Sequence, residues 1–94
     1  MDENEVFKAA LKRYGSFAQI VMVFEEMSEL QKELSKWLRG QNNVSQIAEE
    51  IADVEIMLSQ MKMLFRCETL VNEYRHRKVE RLADRLEKRA NHDK

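Results

Sequence analysis

No proline interrupts the 94 residues of this chain, and glycine occurs only twice, at Gly15 and Gly40. Proline breaks helices and glycine weakens them, so a chain nearly free of both can run in long helices. Leu, Met, Ala, Glu, Lys and Arg dominate, and 35% of the residues are charged, a composition of helices and not of sheets. The expected fold is all-α: an antiparallel helical bundle built around a long helix hairpin, with about four helices per chain.

The two glycines and the apolar periodicity place the elements. A first helix is expected from about Glu3 to Tyr14, with Val6, Phe7, Ala10 and Leu11 as its stripe. Gly15 ends it. Ser16 then reads as an N-cap, with Gln19 as its capping-box partner. A second helix runs from about Phe17 to Leu38 and stops at Arg39-Gly40, before the polar loop Gln41-Asn42-Asn43. Asn43 can cap a third helix from about Val44 to Phe65. A turn at Arg66-Cys67 precedes a fourth helix from about Glu68 to Arg89. The expected organisation is one domain over 1–94: a leading helix in 1–15, a hairpin in 16–66, a C-terminal helix in 67–90 and a frayed tail at 91–94. The second and third helices are each about 22 residues, or roughly 33 Å. One hairpin leaves apolar area uncovered, so self-association is expected, as a homodimer or homotetramer.

Bulk properties exclude several classes. Cys67 is the single cysteine, so no disulfide forms within a chain, and a lone thiol fits a reducing cytoplasm. The opening Met-Asp-Glu-Asn-Glu does not resemble a signal peptide. The longest apolar run, Ile20 to Phe24, is far too short to span a membrane. A net charge of -1 argues against a nucleic-acid partner. The charge is uneven, however: residues 16–65 are acidic on balance and 66–94 basic. A metal site beside a polyanion-binding edge would look like this, and so would ordinary solvated helix faces.

The third helix is the most informative. Ile47, Ile51, Val54, Leu58, Met61 and Phe65 alternate four- and three-residue steps, which predicts a buried stripe. At about 100° per residue, Glu50 falls inside that apolar sector, between Met57 and Met61. Asp53, three residues on, reaches over the same face, and Glu49 sits at the border. The second helix repeats the arrangement. Glu26 lies among Met22, Leu30 and Val23, Glu29 and Glu33 fall beside it, and Glu25 is at the border. Gln19 and Trp37 share this face, one well before the acidic pair and one well after it.

Burying an unpaired carboxylate costs several kcal/mol or drives its pKa up until it is neutral, and four such groups together repel one another. Either a cation from Lys or Arg on another helix pairs them, or a hard divalent metal does. Carboxylate oxygens are what Mg²⁺ prefers.

The runs Glu25-Glu26-Met27-Ser28-Glu29-Leu30 and Glu49-Glu50-Ile51-Ala52-Asp53-Val54 resemble the E-x-x-E and E-x-x-D motifs of the MazG-like nucleotide pyrophosphohydrolases, an all-α NTP pyrophosphatase superfamily. The separation of Glu29 from Glu50 is typical of that family, and Lys78-Val79-Glu80-Arg81-Leu82 is similar to the basic segment that follows its motifs. The resemblance covers roughly residues 15 to 86. Ser28 departs from it, standing where many members have glycine. The resemblance implies that Glu26, Glu29, Glu50 and Asp53 bind Mg²⁺, with Mn²⁺ as a substitute. It implies cleavage of a nucleoside triphosphate between the α and β phosphates, releasing a monophosphate and pyrophosphate. Glu50 and Glu26 are then the catalytic carboxylates. Glu25 and Glu49 are candidates for taking the proton of the attacking water or for support at the rim, and Gln19, Lys78 and Arg81 for substrate contact.

Blander readings stand beside these. Arg75, Lys78, Arg81 and Arg85 recur along one helix, to hold phosphates or to pair with Glu73, Glu80 and Asp84 in water. Gln19 and Trp37 contact a base or are ordinary core-edge residues. A di-iron bundle needs two Glu-x-x-His tetrads, and only Glu73-Tyr74-Arg75-His76 is present. A helical oligomerisation module without chemistry explains the periodicity but not the acids inside the stripes.

Overall fold

The computed structural model describes residues 1–92, with side chains through Arg89; 93–94, part of the expected frayed tail, lie outside the described residues. The described chain is all-helical: α1 (Glu3–Tyr14), α2 (Ser16–Leu38), α3 (Val44–Leu64) and α4 (Glu68–His92). α4 continues two residues into the segment expected to fray.

The helix ends explain these bounds. Asp2 caps α1 by accepting the Glu5 N–H at 2.8 Å. Glu3 and Glu5 in the first turn and Lys12 and Arg13 in the last complement the helix dipole. Gly15, at φ 88, closes α1 and starts α2 in one step, donating its N–H to Leu11 and accepting that of Gln19. The capping box expected of Ser16 and Gln19 does not form. With Gly15 itself in the cap position, Ser16 is already the first helical residue, and Gln19 turns inward. α2 ends in a Schellman motif: the Gln41 N–H reaches Lys36 O, the Gly40 N–H reaches Trp37 O, and Gly40 takes φ 95. The unmarked turn at Arg66-Cys67 is built in the same way. The Cys67 N–H bonds Lys62 O and the Arg66 N–H bonds Met63 O. Here Arg66 occupies the left-handed position at φ 50, a conformation that glycine usually supplies.

α2 and α3 pack along their length as an antiparallel hairpin, and α1 packs against both. Asn43 ties the hairpin loop down. It stands at the α3 cap position, but its side chain does not cap α3. Its Nδ2 donates instead to Glu33 O at 2.9 Å and to Glu33 Oε2 at 3.0 Å.

The core of one chain is small. Phe7 and Met57 are its buried apolar residues, joined by Gln19, Asn43 and Gln60. The stripe expected to be buried on α3 is only partly so. Ile47, Val54 and Met61 are half-buried, whereas Ile51, Leu58 and Phe65 are exposed. The side of α3 turned to α2 is centred nearer Met57, which rotates the outer half of the stripe into solvent. Among the described residues α4 packs against α3 alone, and every side chain described from Asn72 to Arg89 is exposed. The radius of gyration is therefore 17.4 Å, against about 12 Å for a compact chain of this length. No described helix is long and apolar enough to cross a membrane.

Candidate metal centre

Three of the four carboxylates expected to act together do meet. Glu26 of α2 and Glu50 and Asp53 of α3 place oxygens within 4.8 Å of one another, and all three residues are half-buried. Helix geometry explains the meeting. Glu50 and Asp53, three residues apart, overhang one spot on α3. The antiparallel packing sets Glu26 opposite that spot. The fourth, Glu29, is exposed and stands outside this group, although its charge acts on both Glu26 and Glu50.

The electrostatics are those of crowded anions. Burial pushes the Glu26 carboxyl above its ordinary value, and the charges of Asp53 and Glu50 push it further. Glu50 is raised likewise, first by burial and then by Asp53, Glu29, Glu49 and Glu33. Glu50 Oε2 is buried without a hydrogen-bond partner. Among the described residues the salt bridges are Lys36–Glu33 and His76–Glu80, so no protein cation pairs with Glu26, Glu50 or Asp53.

Glu33 shows what pairing does to a neighbouring acid. Its carboxylate accepts Asn43 Nδ2 at 3.0 Å and Lys36 Nζ at 3.1 Å, and these donors hold its pKa below the ordinary value. Two turns of α2 thus separate a carboxylate held by donors, Glu33, from one crowded by other carboxylates, Glu26.

The remaining candidates are dispersed. Glu25 and Glu49 are exposed. Glu25 lines an open depression of about 610 Å³ on α2 together with Phe24, Glu26, Ser28 and Glu29, which gives solvent a route to the cluster. Gln19 is buried, and its Nε2 donates to Gln60 Oε1 at 2.7 Å. It also lines an apolar groove of about 620 Å³ with Tyr14, Phe17, Met22 and Met57. Trp37 is exposed, farther along α2. Lys78 and Arg81 are exposed on α4, which among the described residues makes no contact with α2. The structure does not bring them to the carboxylates within one chain. His76 of the Glu-x-x-His tetrad pairs with Glu80 at 3.1 Å on the same exposed helix, apart from α2.

Gln60 is the residue that sequence reasoning missed. It lies one turn beyond Met57 on the side of α3 turned inward, where its Nε2 also approaches Met57 Sδ at 3.7 Å. Its signal was a polar residue three from an apolar one, on the same side as Asp53.

No protein-family model, curated protein or solved structure matches the chain.

Proposed function

We propose that the α2–α3 hairpin holds a divalent cation, Mg²⁺ in the first instance, and that the chain is a nucleoside triphosphate pyrophosphohydrolase. The observation carrying the metal is the convergence of Glu26, Glu50 and Asp53, with no cation among the described residues paired with them and with a buried, unpartnered oxygen on Glu50. A donor set made only of carboxylate oxygens suits a hard cation that keeps positions open for water or phosphate. Glu29, exposed and three residues on from Glu26, would be the fourth ligand that the resemblance implies.

The step from metal to triphosphate rests on the resemblance of the 25–30 and 49–54 runs to the MazG-like motifs. Physical chemistry supports it. A triphosphate is strongly anionic and would be repelled by this cluster unless a divalent cation stood between them. A bound Mg²⁺ would neutralise phosphate charge and lower the pKa of a bound water. The carboxylates then have two tasks. Most of their oxygens hold the site. Any oxygen of Glu50 or Glu26 not used in ligation accepts the proton of the attacking water. Water attacks the α phosphorus, the bond to the bridging oxygen breaks, and pyrophosphate leaves with the electron pair. Lys78 and Arg81 would meet the β and γ phosphates only where α4 is brought over a hairpin. The groove beside Gln19 is about two helical turns from Glu26, a place for the base. The product is a monophosphate, and the role is upkeep of a cytoplasmic nucleotide pool.

The test is release of pyrophosphate from a panel of nucleoside triphosphates, with and without Mg²⁺, for the wild type and Glu50→Gln. Expected are Mg²⁺-dependent turnover by the wild type and its loss in the variant, with helical circular dichroism retained. A helical oligomerisation module without chemistry is the rival reading. It predicts no turnover across the panel and a Glu50→Gln variant as stable as the wild type or more so.

A further inference from the structure

The charges of α4 are sorted by face. With Arg81 at zero and about 100° per residue, Arg77, Lys78, Arg85, Lys88 and Arg89 fall between about −40° and +80°. Arg75 follows near 120° by the same rule. Glu73, Glu80, Asp84 and Glu87 crowd between about −120° and −60°, and Leu82, Leu86 and Val79 between about 100° and 160°. α4 thus carries a basic face, an acidic face and a narrow apolar one. A solvated helix gains from opposite charges three or four residues apart and loses from like ones. The basic face does the reverse: Arg77, Arg81, Arg85 and Arg89 follow one another at four-residue steps, a row of about 18 Å. All are exposed. Among the described residues the ion pair on α4 is His76 with Glu80, so none of these arginines and lysines is paired with a carboxylate.

We propose that the basic face of α4 binds the phosphate backbone of duplex DNA. Charge is the first reason. A row of like charges repels itself along the helix, and a polyanion laid against it removes that repulsion. The net charge of -1 speaks against attraction by the chain as a whole, not by one face. The compensating acids of the hairpin sit on helices other than α4. The second reason is a place for a phosphate. Tyr74, Arg77, Lys78 and Arg81 line a depression of about 280 Å³, and the Arg77 guanidinium is stacked over the Tyr74 ring at 5.1 Å. The third is shape. A helix whose described side chains are exposed from Asn72 to Arg89 can enter a major groove, which is about 12 Å wide and admits an α-helix. The apolar residues lie roughly 100° from the middle of the basic face, so packing them against protein leaves the row open. Other polyanions fit less well. A single strand wants several stacking platforms, and Tyr74, the one aromatic of α4, already has Arg77 over it. Duplex RNA has a major groove too narrow for side chains to read. An anionic lipid surface wants cations beside a broad apolar face, whereas α4 has a narrow one with acids towards its other flank. The basic face holds no Asn or Gln, which suits backbone contact rather than reading of adenine.

The proposal rests on α4 and not on the metal centre, so its failure is separate from failure of the enzyme reading. EDTA in the assay keeps the hairpin carboxylates from bridging to phosphate through a cation. Fluorescence anisotropy of a labelled DNA duplex, titrated with the full chain, should give a dissociation constant in the micromolar range at about 50 mM salt. With about four phosphates facing the arginine row, affinity should fall roughly a hundredfold by about 200 mM salt. Arg77→Gln combined with Arg85→Gln should weaken binding at least about tenfold at the lower salt and take about two from the slope of log affinity against log salt. Circular dichroism should stay helical, since glutamine and arginine are similar helix formers. Should that variant lose its helices, the wild-type salt dependence decides alone, and a fall of less than about tenfold over the same range overturns the proposal. Absence of binding to duplex DNA at the lower salt overturns it, as does a helical variant that binds like the wild type. Tighter binding to single-stranded DNA, duplex RNA or phosphatidylserine vesicles than to duplex DNA overturns it as well, because the row then serves another polyanion.

Discussion

The hairpin and α4 are built from helices of similar length, 23, 21 and 25 residues, yet only the hairpin fixes its charged groups in relation to one another. On the hairpin, packing against a second helix sets Glu26 over Glu50 and Asp53 and leaves a buried oxygen unpaired. On α4, Lys78, Arg81 and their neighbours face water, and their ion pairs and stacking are local: His76 with Glu80, and Arg77 over Tyr74 at 5.1 Å. A charged side chain is only as well placed as the helix that bears it. Chemistry that needs sub-ångström placement therefore belongs on the hairpin, and α4 is suited to attraction that tolerates looser geometry.

Turnover offers the largest test of that contrast. On the proposed reading, Glu50→Gln should lower kcat by about a thousandfold or more, since Glu50 would be a group on which the reacting centre depends. The pair Lys78→Ala and Arg81→Ala should raise KM by about tenfold, the scale of one or two charge-assisted contacts to phosphate, and change kcat little. If the α4 pair lowers kcat as far as Glu50→Gln does, α4 takes part in the chemistry and the contrast is broken.

Stability gives a smaller test. Gln60→Leu leaves the buried Gln19 amide without its partner, and urea denaturation should show a loss of about 1–3 kcal/mol. Adding Gln19→Leu should restore much of that loss, because both halves of the pair are then apolar. His76→Ala, which removes an exposed ion pair on α4, should change stability by less than about 0.5 kcal/mol. Equal costs for Gln60→Leu and His76→Ala would mean that the hairpin seam is no better packed than α4.

Much of this was legible in the sequence, because helix periodicity and glycine punctuation are local signals. Every helix end falls within three residues of its expected position, with both ends of α1 as expected, and three of the four expected carboxylates meet. What was not legible depends on the exact rotation of α3 against α2. Periodicity finds an apolar stripe but does not say which half of it meets a helix of the same chain. The same periodicity therefore puts Ile51, Leu58 and Phe65 inside and gives no sign that Gln60 is buried. Caps failed for a related reason. Asn43 and Gln19 have the right identity and position to cap, but each finds a more buried partner across the hairpin, in Glu33 and Gln60. Local rules lose to a tertiary contact when that contact satisfies a group otherwise cut off from water.

The smallest expected effect is in pH dependence, where two kinds of carboxylate on the hairpin pull in opposite directions. Glu26 and Glu50 have folded-state pKa values above the ordinary 4.5. They bind protons more tightly when folded, so their contribution is fully present below 4.5 and is lost as pH rises through the higher folded values. Glu33, lowered by Asn43 and Lys36, has the opposite sign. Its contribution is present above 4.5 and is lost as pH falls through its lower folded value. In the presence of a chelator, thermal stability should therefore decline from about pH 4.5 towards neutral more steeply in the wild type than in a Glu26→Gln, Glu50→Gln double variant. Millimolar Mg²⁺ at neutral pH should raise the wild-type Tm, because the ion takes the deprotonated carboxylates that the bare fold strains to keep together. The double variant should not respond. Parallel pH profiles in the two proteins would mean that these carboxylates are relaxed in the folded chain. The hairpin would then hold its acids as loosely as α4 holds its bases.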